Sequence, residues 1–229
     1  TGDALFDVIE EYREKEISLT CMGYGLGNYN DYHMENLSNK GNGNYFYVDS
    51  IEEAERVFGT ELASTLEVIA ADVKIQVEFN QDAVAKYRLV GYENRVLDNE
   101  DFDDDTVDAG EIGPGHTVTA YYELELSEGV QDESLLSTVR LRYKSQYGAE
   151  SNLIERAIKL SQTSTTFEDA SDGFRFGAAV AEFAEILRGS MHVDDASIEA
   201  VIDVAEGASS GSSKEVEFIE LANRAEQNR

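Results

Sequence analysis

The chain changes its hydrophobic period twice, and each change limits the folds open to it. Up to Ala71 the apolar residues recur at helical spacing, with two short strand-like runs between. Leu5, Val8, Ile9 and Tyr12 share one face of a helix over 4–15, with Asp3 as its N-cap. Ile17 to Met22 is an apolar strand ending in a glycine turn, and Asp31 to Asn39 is a short helix stopped by Gly41 and Gly43. Tyr45 to Val48 is a second strand. Ser50 then caps a helix whose stripe of Ile51, Ala54, Phe58, Leu62, Leu66 and Ile69 runs about five turns, with Glu53 placed for a capping box. The order α-β-α-β-α is that of a parallel sheet covered by helices.

After Ala71 the period becomes two. Val73, Ile75, Val77 and Phe79 alternate with polar residues, as do Val118 to Leu126 and Val139 to Tyr143, while 87–92 and 153–160 read as further strands. One-face-apolar strands of this kind predict antiparallel sheets with one packed and one wet side, arranged as a small sandwich. Past residue 162 the spacing turns helical again, with one stripe at Phe176, Val180, Phe183 and Leu187 and another at Ile198, Val201, Ile202 and Ala205. A Gly/Ser segment, Gly207 to Ser213, precedes a last helix. The expected class is α+β: a partial α/β, Rossmann-like part over 1–71, a β-sandwich over 72–162 and a helical tail over 163–229.

Charge narrows the partners. The 47 acidic and 18 basic residues give a net charge of −29, which repels nucleic-acid phosphates and anionic lipid heads. No apolar run is long enough to cross a membrane, so direct insertion by this segment is not expected. The single cysteine, Cys21, excludes an intrachain disulfide and reads as a small buried hydrophobe. Five of the 12 tyrosines (Tyr24, Tyr29, Tyr32, Tyr45 and Tyr47) crowd the first part, where packing is their expected role.

Two stretches carry a resemblance. Met22 to Asp31 (MGYGLGNYND) followed by Asn39 to Tyr45 (NKGNGNY) resembles the end of a bacterial von Willebrand factor type A domain. Val90 to Arg95, Asp108 to Ala120 (DAGEIGPGHTVTA), Leu141 to Lys144 and Phe174 to Phe176 resemble the C-terminal region of one subgroup of such proteins. The resemblance implies a cell-envelope or surface protein that acts through binding. A complete domain of that kind holds a divalent ion through an Asp-x-Ser-x-Ser loop, and this sequence contains none. No metal-site residue carries over, and no cofactor is expected.

The expected function is therefore a non-enzymatic protein–protein interaction or scaffolding module. Asn28, Asn30 and Asp31, on the ligand-facing rim that the resemblance implies, are the candidate partner-binding residues. The half-sheet also implies self-association, or helices packed over its open edge. Two rivals stand beside this reading. Asp101, Asp103, Asp104, Asp105, Asp108 and Glu111 crowd one loop, and calcium would relieve their repulsion, although the glycine and glutamate of an EF-hand loop are missing. The other rival is a hydrolase with an unrecognised carboxylate pair. His33, His116 and His192 lie too far apart in sequence to suggest a metal site, and Gly23, Gly25 and Gly27 lack the spacing of a dinucleotide fingerprint.

Overall fold

A computed structural model describes residues 2–15, 17–25, 30–62, 67–91, 96–193 and 196–228. The chain forms two compact units. The first is made of Thr1–Glu78, Leu97–Val118 and Val139–Arg156, and the second of Phe79–Val96, Thr119–Thr138 and Ala157–Arg229. The architecture is mixed α+β, with antiparallel strand pairing and a C-terminal run of helices.

The first unit opens with α1 (Gly2–Arg13), β1 (Cys21–Tyr24), α2 (Asp31–Lys40), β2 (Tyr45–Val48) and α3 (Ile51–Glu55). Strands β1 and β2 pair in parallel, Cys21 beside Tyr45 and Tyr24 beside Val48, with α2 as the crossover. The turn into β2 needs its glycines. A side chain at Gly43 would collide with the Leu19 carbonyl, and the Leu19 N–H donates to the Gly41 carbonyl at 2.8 Å. Ile9, Cys21, Val48 and Val57 are buried in this unit, and burial pushes the Cys21 thiol up.

Several details depart from expectation. Asp3 lies inside α1, which begins at Gly2, so it is not the N-cap. The first strand starts at Cys21 rather than Ile17. Ser50 caps α3 as predicted, accepting from the Glu53 N–H at 3.1 Å, and the Glu53 carboxylate pairs with Arg56. The stripe is not one continuous α-helix over the described residues, and Leu66 lies outside them. After Glu55 the backbone widens to a π-helical turn over Arg56–Thr60, and Ile69 already donates to the Ile112 carbonyl at the edge of a sheet. Gly59, poor in helices, sits in that wide turn. Tyr24 and Tyr32 are 58% and 77% exposed, so they do not pack as expected, while Tyr29 lies outside the described residues.

The larger sheet runs β5 (Gly110–Ile112), β3 (Ala70–Phe79), β7 (Leu135–Lys144), β8 (Ser151–Lys159). Partners move in opposite senses along β3 and β7: Asp72 meets Lys144, Gln76 meets Arg140, and Asn80 meets Leu136. The polar face of this sheet is wet around Glu78 and Glu155 but not around Lys74. Lys74 is only 3% exposed, whereas Ile75 on the opposite face is 58% exposed. The loop following residue 97 supplies the carbonyls that hold the Lys74 ammonium, and burial of a charge is tolerable only with such partners.

In the second unit β4 (Val84–Val90) and β6 (Tyr121–Leu126) form an antiparallel pair. Lys86–Glu125 and Arg88–Glu123 bridge one face, while Tyr122 and Tyr87 pack on Phe79 on the other. Helices α4 (Asp172–Leu187), α5 (Ile198–Ala208) and α6 (Ser213–Gln227) share a core of Ala179, Phe183, Ile198, Val201, Ala205 and Ala222. The Gly/Ser segment is an ordered cap. Ser212 and Glu215 form a capping box, and hydrogen bonds headed by that from the Ser210 hydroxyl hold the Glu215 carboxyl at about 2.

Glu185 is the buried charge of this unit, 3% exposed and gripped by Arg88 at 2.9 Å and Arg188 at 2.7 Å. Replacing it with alanine removes a buried carboxylate that Arg88 and Arg188 both bind, although Arg88 keeps Glu123. Urea unfolding is expected to lose about 2–4 kcal/mol for Glu185→Ala, and less than about 1 kcal/mol for Glu123→Ala, whose side chain is 62% exposed.

Candidate functional site

The acidic loop between β4 and β5 was the densest chemical feature in the sequence, and its fold shows how that charge is met. Lys74 on β3 donates to the carbonyls of Asp101, at 2.9 Å, and of Asp104. Arg142 on β7 reaches the carboxylates of Asp103 at 2.5 Å and Asp105 at 3.5 Å, and its guanidinium stacks over Phe102. Lys144 donates to the Asp105 carbonyl at 2.8 Å. Asp104 turns inward on its own loop, accepting from the Thr106 hydroxyl and N–H, which hold its carboxyl below the usual range. Arg142 and Lys144, two of the basic residues that alternate along β7, thus serve as counter-ions of the loop.

The end of the loop behaves differently. Among the described residues, Asp72, Asp108 and Glu111 bring one carboxylate oxygen each to within 4.8 Å of one another. Asp72 stands in the left-handed region, φ 50°, where the register of β3 against β5 slips between Ala70 and Val73. Asn42, in the turn between α2 and β2, is also left-handed at φ 48°, a conformation asparagine tolerates better than most residues. Its amide nitrogen donates to Asp108 at 2.9 Å and to Glu111 at 3.0 Å. Lys144 binds Asp72 at 2.6 Å, and Arg13 lies 3.4 Å from Asp108. Arg13, Asn42, Asp72, Asp108 and Lys144, together with Ile17 and Tyr147, line a cleft of about 180 Å³ in the first unit, with Glu111 hydrogen-bonded to two of its lining residues, Asn42 and Tyr147.

Glu111 is strongly altered by this setting. Burial, then the charge of Asp108 and more weakly that of Asp72, pushes its carboxyl up to about 7, against a hydrogen bond from Tyr147 that works the other way. Burial and the Glu111 charge push the Tyr147 hydroxyl up in turn. The arrangement can hold a proton among crowded carboxyl groups.

The three residues singled out for partner binding fare otherwise. Asn28 lies outside the described residues. Asn30 caps α2, accepting from the His33 N–H at 3.0 Å, and Asp31 accepts from the Tyr45 hydroxyl at 2.5 Å. Both are exposed, and both serve the local fold. Of the residues in and beside the cleft, the sequence points to Asp108 and Glu111 and misses Asn42, Asp72, Lys144 and Tyr147. A faint signal existed for Asn42, since an asparagine between two glycines is a turn with positive φ in waiting.

Residues 64–227 match the family described as "Uncharacterized protein YfbK, C-terminal". The uncharacterized protein YfbK of Escherichia coli (strain K12) is 34% identical over 238 residues, an alignment that takes in 96% of this chain and 40% of the relative.

Calcium entering the acidic loop has to displace Lys74, Arg142 and Lys144. Isothermal titration of the protein with calcium is expected to give no heat of binding. Lys74→Met, which removes the donors to two loop carbonyls, is expected to cost about 1–3 kcal/mol in urea unfolding.

Proposed function

This chain belongs to the family of the C-terminal region of the uncharacterized protein YfbK, and we propose, from its resemblance to the end of a bacterial von Willebrand factor type A domain, that it is a non-enzymatic protein-interaction or scaffolding module of a bacterial envelope or surface protein. In this reading residues 1–71 are the rear half of a von Willebrand factor type A domain. The parallel β1–β2 pair with its α2 crossover supports that part, because such units build helix-covered parallel sheets. The chain spans 40% of the length of the relative it matches, so the activity of any whole protein of this kind is part of the proposal.

One observation carries the interaction reading: the apolar face of the four-stranded sheet is only partly covered, with Ile75 and Ile154 exposed on it. Cross-strand pairs place Asp72, Gln76, Arg140, Lys144 and Glu155 on one side. Alternation then puts Val73, Ile75 and Val77, Val139, Leu141 and Tyr143, and Ile154 on the other. All seven keep partial exposure, with Ile75 at 58% and Ile154 at 52%. Covering apolar surface is worth roughly 25 cal/mol per Å², so a contiguous face of this kind favours a bound partner.

A photo-crosslinking residue in place of Ile75 or Ile154, in cells producing the full-length protein, tests this. The expected result is a discrete adduct from either site and none from Glu78 on the opposite face. Ile75→Asp is expected to change folding stability by less than about 1 kcal/mol while weakening capture of that partner about tenfold or more. Equal adducts from both faces would overturn the reading. So would hydrolytic turnover abolished by a single carboxylate substitution.

A further inference from the structure

The cleft of the first unit ties together segments distant in sequence. Asn42 belongs to the turn between α2 and β2, Asp72 to the irregular start of β3, and Asp108 and Glu111 to the end of the acidic loop. One amide nitrogen, that of Asn42, fastens the turn to the loop through both Asp108 and Glu111. The charges facing the cluster come from every side. Arg13 of α1 approaches Asp108, Lys144 of β7 holds Asp72, and Asp105 adds a further carboxylate to the lining. Tyr147, beyond β7, is hydrogen-bonded to Glu111. Three carboxylates packed within 4.8 Å are thus met by two cations. A proton on one carboxyl removes a negative charge and converts a repelling oxygen into a donor.

We propose that Asn42, Asp72, Asp108 and Glu111 form a proton-held clasp, which fastens the acidic loop to the turn after α2 and loosens when the proton is lost. Glu111 carries the proton: it is half-buried, bonded to Asn42 and Tyr147, and faces the charge of Asp108. Its carboxyl titrates at about 7, above the ordinary 4.5. Because the folded value is the higher one, the folded state holds the proton more tightly than the unfolded chain. The stabilisation is complete below about 4.5 and fades as pH rises through about 7. The clasp is closed in mild acid and open in mild base.

Amide hydrogen exchange on the whole chain tests this, with rates corrected for the intrinsic effect of pH. Protection of residues 39–44 and 104–111 is expected to fall roughly tenfold between pH 6 and pH 8.5. In Glu111→Gln, which keeps a hydrogen-bonding group and cannot ionise, the same protection is expected to stay level. Level protection in the unaltered protein, or an unchanged slope in the variant, overturns the clasp. A second readout needs no variant: carbon NMR of the Glu111 carboxyl across the same range. A midpoint above about 6 supports the clasp and one below about 6 overturns it.

Discussion

Cations are scarce in this chain, 18 against 47 acids, and the placing of Arg140, Arg142 and Lys144 along one strand organises much of the first unit. Spaced two apart, they project from the same face of β7 and meet carboxylates that arrive from three directions. Arg140 answers Glu78 of β3 and Glu155 of β8, Arg142 answers Asp103 and Asp105, and Lys144 answers Asp72. Lys74, on the neighbouring strand, extends the same row into the carbonyls of the acidic loop. Without these cations the loop would carry a concentrated negative charge against a sheet of low polarity. With them it becomes a lid on that sheet's charged face.

The consequence reaches the other side of the sheet. A face built from ion pairs and covered by a loop leaves the apolar face without a cover from the first unit's own loop. That is why Ile75 is exposed and Lys74 buried, the reverse of what an amphipathic strand ordinarily does. The proposed interaction and the partly exposed apolar face rest on the same arrangement. In the second unit the pattern is the usual one. Apolar stripes of α4, α5 and α6 close on one another, and the buried Glu185 is met by Arg88 and Arg188.

Much of this was legible in the residues, but unevenly. Short elements bounded by strong punctuation were placed well: β2 at Tyr45–Val48, α2 from Asp31, the Ser50 cap, and the helices after residue 171. The stripe from Ile51 to Ile69 reads as one helix because it continues through Gly59 into Ile69, yet the Ile69 N–H is claimed by Ile112. Periodicity cannot register a hydrogen bond offered from 43 positions away. The acidic loop was visible as composition, yet its partners were not, since the counter-ions lie on strands read merely as alternating.

Local sequence determined which stretches are helix or strand, because backbone preference, caps and turns act within a few residues. It also determined the sign of the surface. Which face of β3 is buried, and which carboxylates meet at Asn42, was decided by tertiary structure alone. A two-residue period says that the two faces of a strand differ; it does not say which one another segment will cover. Only when the loop bearing Asp101 and Asp104 closed on Lys74 did the polar side become the inside.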